Sequence, residues 1–198
     1  MTGIISEMRV ATEGLRADTA RNRAKVLKVA RKRLEEGDTE LPMNTIAKLA
    51  GVGVGTVYRH FPTRRALLET LAMDGFERLL ATAEEAAAVE DPQVALRTLL
   101  HGALMLQLDD IGMTKVLELS AEEGLQTTAE IRARIGVAAG GVFDKALASG
   151  GIRPGVTRDD LRRLLSGITH AARISPARSP GEAEVYLDIL LDGLRSAR

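Results

Sequence analysis

The 198-residue chain contains no cysteine and no tryptophan, and only three phenylalanines and two tyrosines. Without cysteine, disulfides and thiolate metal sites are excluded, and a reducing, cytoplasmic setting is expected. The scarcity of aromatics argues against a sheet protein, because strands draw on aromatic and β-branched side chains. Nowhere do 18 apolar residues run together, so no membrane span is expected. The opening Met-Thr-Gly-Ile-Ile-Ser-Glu-Met-Arg holds no apolar run of signal-peptide length. Net charge is also missing: 27 Lys/Arg balance 27 Asp/Glu.

The charge is nevertheless unevenly placed. Residues 1–72 hold 13 basic and 8 acidic side chains, and residues 73–198 hold 14 and 19. A basic head on an acidic body suits a protein that meets a polyanion at one end. Ala, Leu, Arg and Glu are abundant and the apolar period is helical, which predicts an all-α protein of about nine helices.

Residues 1–17 lack a steady apolar period and read as a mobile basic arm. From Asp18 a helix is expected, with Ala24, Leu27, Ala30, Arg31 and Leu34 at helical spacing and Gly37 closing it. Pro42 can open a second helix. Asp91-Pro92 marks an N-cap followed by an N1 proline, and an apolar helix follows through Leu108. Capping boxes are expected at Thr127–Glu130 and Ser179–Glu182, and a hydroxyl cap at Thr157 precedes two acids.

The most informative segment runs from Asn44 to Phe61. Ile46, Ala47, Leu49 and Ala50 form a short apolar helix. Gly51 can take a left-handed turn, Val52 plugs it, and a second short helix spans about Val54 to His60 before Pro62 ends it. Ala47, Gly51 and Val57 then supply the small crossing residue, turn glycine and inward apolar residue of a helix-turn-helix. This arrangement leaves one face of the second helix free for a major groove.

The match is dense. Ile46, Ala47, Ala50, Gly51, Val52, Gly55, Thr56, Val57, Tyr58, His60, Phe61, Pro62, Thr63, Arg64 and Leu67 stand in register with the N-terminal domain of TetR-family regulators, which residues 20–72 resemble. The resemblance implies a three-helix DNA-binding domain over 18–62 and a larger helical domain over 63–198 for ligand binding and dimerisation. It implies that Val54, Gly55 and Thr56 meet bases or phosphates, that Tyr58, His60 and Arg64 hold the DNA backbone, and that Arg21, Arg23 and Lys48 add phosphate contacts. Gly53 replaces the family's usual serine and Val54 an often basic residue. Leu41-Pro42 stands where the family commonly has Thr or Ser.

On the same grounds the partners implied are double-stranded DNA with a near-palindromic operator, a small-molecule effector and a second copy of the chain. The expected action is repression relieved by the effector. His101, Met105, Met113, Phe143 and His170 are candidate pocket residues, and Gly136, Ala139 and Gly140 form a small-residue stripe that could pack closely or leave space. The last two helices are expected to make the dimer: Leu161, Leu164, Leu165 and Ile168 line one, while Val185, Leu187, Ile189, Leu190, Leu191 and Leu194 nearly surround the other.

Other readings fit less well. Gly51-Val-Gly-Val-Gly55 follows a helix, not a strand, and Thr56 occupies the third glycine position of a dinucleotide-binding loop. The three histidines lie far apart with no metal-pair spacing and no nucleophile elbow occurs, so no enzyme, cofactor or metal is expected. The remaining alternative is a helical small-molecule-binding protein with a vestigial DNA-binding head.

Overall fold

The computed structural model describes residues 2–119, 124–175 and 180–195, with side chains described from residue 17 onward apart from Pro180. The described residues form nine helices and no strand: α1 (Thr2–Glu35), α2 (Met43–Ala50), α3 (Val54–His60), α4 (Arg64–Ala88), α5 (Pro92–Asp109), α6 (Ile111–Glu118), α7 (Gln126–Ala148), α8 (Arg158–Ile174) and α9 (Pro180–Leu194). The all-α reading holds. The chain divides into two compact units, Met1–Leu71 and Ala72–Arg198, and the boundary falls within α4.

In the first unit, α1 packs on α2 and α3, and α2 on α3. Val26, Ala30 and Leu34 are buried at four-residue spacing, whereas Ala24 and Arg31 are exposed and Leu27 is half-buried. The inward stripe is therefore rotated from the expected one. α1 also reaches back to Thr2 through the segment expected to be an arm. No proline interrupts that segment, and Glu7, Met8, Ala11, Glu13, Leu15 and Ala17 are good helix formers.

The connection from α1 to α2 is tied by Asp38. Its carboxylate accepts from Arg33 Nη2 at 2.7 Å and from the amides of Glu40 and Leu41 at 3.1 and 3.3 Å. The Arg33 hydrogen bond holds the Asp38 carboxyl below the usual carboxylate range. Leu41 is fully buried with φ +41°, a left-handed backbone that leucine rarely adopts. The Asp38 bonds and the buried side chain hold it there. Pro42 then serves as the residue before α2, one position earlier than expected.

At the start of α4, the Thr63 hydroxyl accepts from the Ala66 amide at 3.0 Å. Leu67, Leu68 and Leu71 are buried, and so is Glu69, whose carboxylate takes Arg65 Nε at 2.7 Å. A carboxylate so enclosed requires such a partner.

The second unit is organised around α5, which packs against α6, α7, α8 and α9. Ala95, Leu96, Leu99, Leu100, Ala103, Leu104 and Leu106 are buried along it, as expected of a central helix. Asp91 caps it, accepting from the Gln93 and Val94 amides at 2.8 and 3.0 Å. Asp110 ends α5 and starts α6, accepting from the Met113 amide at 2.8 Å. The expected box at Thr127–Glu130 does not form: α7 starts at Gln126 after Leu125, without a side-chain cap. Thr157 and Asp160 do form a reciprocal box at α8. The expected box beginning at Ser179 falls partly outside the described residues.

Candidate functional site

Two places in the fold present chemistry, one in each unit. The first is the α2–α3 hairpin. α2 ends on Gly51 in the left-handed conformation, φ 65° and ψ 35°. The Gly51 amide donates to Lys48 O and the Val52 amide to Ala47 O, closing the helix end. A side chain at residue 51 would meet no neighbour, so the glycine answers a backbone requirement.

α3 then divides cleanly. Val57 and Phe61 are buried and fix the helix to the unit's core. Val54, Gly55, Tyr58 and Arg59 face out, with Val54 40% and Tyr58 46% exposed. Thr56 and His60 are half-buried at the edges of that face. On α2, Ile46 and Ala47 point inward, but Leu49 is 55% exposed beside the exposed Lys48. The apolar character expected for all four α2 positions is thus only partly core.

Of the basic residues expected to flank α3, each has a definite environment. Arg23 lies over the Phe61 ring, 5.5 Å from its centroid. Arg21 pairs with Asp18 on exposed helix surface. Arg64 donates to the Thr39 carbonyl at 2.5 Å and lies 3.7 Å from Glu40. Arg59 was missed by the sequence reading because the family pattern leaves its position open. It stands on the exposed face of α3, one residue from Tyr58.

The second place is a cavity of about 340 Å³ within the body. Its walls come from α4, α5, α6, α7 and α8, with Phe76, Leu79, Leu96, Leu99, Leu100, Phe143, Leu161 and Leu165 supplying apolar surface. Gly136, Ala139 and Gly140 all line it; the stripe leaves space above Gly136 and close packing against Arg158 at Gly140. Its polar lining is Gln107 with Arg132, Arg158 and Arg162.

Among the sequence candidates, Phe143 lines this cavity. Met113 is fully buried but packs toward Gly75, and Met105 is half-buried outside the lining. His101 lies 3.4 Å from Glu184 on the surface, and His170 is exposed. The four do not gather around one space. The polar residues that do were missed because 25 to 55 positions of sequence separate Gln107 from the three arginines.

Residues 26–71 match the bacterial regulatory proteins of the tetR family, and residues 91–196 match the C-terminal domain of SbtR-like transcriptional regulators. The chain belongs to the TetR family. A TetR regulator of known structure from Streptomyces coelicolor is 32% identical, covering 89% of this chain and 99% of its own, with a TM-score of 0.54. The ketosteroid regulator KstR2 of Mycobacterium tuberculosis shares the fold at 19% identity, with a TM-score of 0.63 over 88% of this chain and 95% of its own. HTH-type transcriptional regulators from Staphylococcus aureus are 43% identical over 54 residues, which is 27% of this chain and 29% of theirs. This chain therefore matches less than a third of the length of those curated relatives.

TetR-family proteins are DNA-binding transcriptional regulators and not enzymes. They bind DNA and small-molecule ligands, typically as dimers. Among the described residues no helix is long and apolar enough to cross a membrane, and no group of His, Asp or Glu side chains could hold a metal ion.

Proposed function

We propose that this regulator is a homodimeric repressor that binds a near-palindromic operator and is released from it by a small molecule held in the body cavity. The observation that carries the DNA-binding part is the division of α3 into a buried Val57–Phe61 edge and an open Val54–Gly55–Tyr58 face. A helix anchored on one side and bare on the other can enter a major groove without disturbing its own packing.

In this reading Val54 packs on a thymine methyl and Gly55 lets the backbone approach closely. Thr56, Tyr58 and His60 donate to phosphates, while Lys48, Arg21, Arg23 and Arg64 lend positive charge to the DNA backbone. Phosphate contacts provide most of the affinity, which then falls steeply with salt. Domain assignments follow: the helix-turn-helix over 18–62 reads DNA, and 63–198 binds the effector and the partner copy.

The dimer is assigned to α8 and α9. Their inward faces are complete without a partner: Leu161, Leu165 and Ala172 are buried on α8, and Ala183, Leu187, Leu191 and Leu194 on α9. A second apolar set remains outside, with Leu164 46%, Val185 55% and Ile189 64% exposed. Leu164, Ile168, Ala171, Ile189 and Leu190 border one groove on this face. An apolar surface of this kind is suited to a two-fold interface with a second copy.

Fluorescence anisotropy against a duplex library at two salt concentrations tests the proposal. It predicts a palindromic winner, bound two chains per site, with half-sites about one helical turn apart. Weak, sequence-blind binding at both salts would favour a vestigial head instead.

A further inference from the structure

The body cavity carries information about the chemistry of its occupant. Among the described residues, every charged side chain that lines it is a cation: Arg132, Arg158 and Arg162. Asp144 and Asp159, which pair with Arg158 and Arg162, stand outside the lining. Arg158 donates through Nη2 to Asp144 at 2.5 Å, and Arg162 donates to Asp159 from Nε and Nη2 at 3.0 and 2.7 Å. Arg132 donates to the Val116 carbonyl at 3.4 Å. A guanidinium has five N–H donors in a planar fork, so the bonds to Asp144 and Asp159 orient Arg158 and Arg162 without exhausting them.

Arg158 is held in a specific seat. Its Nη1 lies where a side chain on Gly140 would stand, 2.5 Å from the position a Cβ would take, and its guanidinium lies 6.0 Å from the Phe143 ring centroid. Glycine at 140 therefore admits the guanidinium against α7, at the lining of the cavity. Further inside, the buried Gln107 has its carboxamide oxygen engaged by the Thr169 hydroxyl at 3.3 Å, which leaves its NH2 as a donor. Above Gly136 an added Cβ would meet nothing, so the space there is open.

An apolar chamber whose described lining carries cationic donors and no acid favours one kind of ligand. We infer that the effector is a carboxylate-bearing amphiphile of the medium-chain fatty-acid class, its chain among the leucines of α5 and its carboxylate on Arg158 and Arg162. This rests on the proposal that the cavity is the effector site. A cation or a neutral molecule of the same shape would form no charge-assisted hydrogen bond with the arginines and bind more weakly.

The test uses the full-length protein and isothermal titration with three probes of equal chain length: decanoate, 1-decanol and decyltrimethylammonium. Decanoate should bind at least about tenfold more tightly than the other two. Arg158→Met and Arg162→Met should each remove most of that preference, bringing decanoate affinity down toward that of 1-decanol in the same variant. Arg158→Lys, which keeps charge but not the fork, should retain part of it. Gly136→Phe, which fills the open space, should abolish binding of all three, and circular dichroism melts would show that each variant folds.

Equal binding of decanoate and 1-decanol, both lost in Gly136→Phe, would overturn the anionic class while leaving the cavity as the ligand site. Preference for the ammonium probe would overturn it more directly. No binding of any probe that depends on residue 136 would overturn both this inference and the cavity's role.

Discussion

The two units of this protein store their chemistry in different ways. In the head, the exposed face of α3 and the turn that positions it lie within one stretch of 18 residues, 44–61. In the body, the cavity draws its walls from Phe76 to Leu165 across five helices. A short groove-reading helix needs only a turn, an anchor and a bare face, all of which local spacing can supply. A cavity exists only where separate helices fail to fill the volume between them, which no local pattern specifies.

The largest effect should come from the body. Ile189→Glu places a charge on the outer face of α9, away from the core of its own unit. It should weaken the dimer by about 3 kcal/mol or more, roughly 100-fold in dissociation constant, and carry specific DNA binding down with it. Sedimentation velocity together with operator titration checks this. An unchanged dimer would separate the dimer contact from the α8–α9 face.

Within the head, Tyr58→Phe and Arg64→Ala should each weaken binding about tenfold on matched and mismatched sequences alike, with the Arg64 change reducing the salt slope by about one. Arg64→Ala also releases the Thr39 carbonyl, so its melt should be followed in parallel. Val54→Ala should instead alter discrimination between bases by about 1 kcal/mol. Equal losses on every sequence for all three would remove the distinction between reading and holding.

The same substitution should have opposite signs in the two units. Gly51→Ala forces a Cβ onto a φ of +65°, costing about 1 kcal/mol. Gly136→Ala lies inside α7 with open space above it, and should stabilise by about 0.5–1 kcal/mol. Urea unfolding of both variants would show whether backbone need or empty space governs each position.

The smallest effect concerns acid. In the body, Asp144, Asp160 and Glu182 are held below their ordinary carboxyl values by hydrogen bonds from Arg158, Thr157 and Ser175 respectively. In the head, Asp38 is held low by Arg33. A lowered folded pKa contributes stability above the unfolded value, and that contribution is lost as pH falls through the folded value. Hydrogen exchange taken progressively below about pH 4 should therefore show the body loosening somewhat more than the head. Equal loss of protection in both units would argue against these bonds as the cause.

Much of the head was legible before its geometry was known. The Gly51 turn, the inward Val57 and the ending of α3 before Pro62 follow from steric limits on single residues, and these act over a few bonds. The Asp91 cap and the Thr157 hydroxyl cap were equally readable, because their partners lie within three residues; the return bond from Asp160 was added by the structure. The box expected at Thr127 did not form: spacing offers a cap, but α7 begins at Gln126, which puts Thr127 inside the helix. Likewise His101, Met105, Met113 and His170 shared the right character for a pocket and were placed apart.

The sequence by itself determined an all-helical chain, the helix-turn-helix and the family, because each rests on contacts between near neighbours. Tertiary structure alone decided which face of each amphipathic helix is inward. It also left space above Gly136, seated Arg158 against Gly140 and brought Arg132, Arg158 and Arg162 to one cavity. Those outcomes depend on how whole helices meet, and close packing between distant residues is decided by shape rather than spacing.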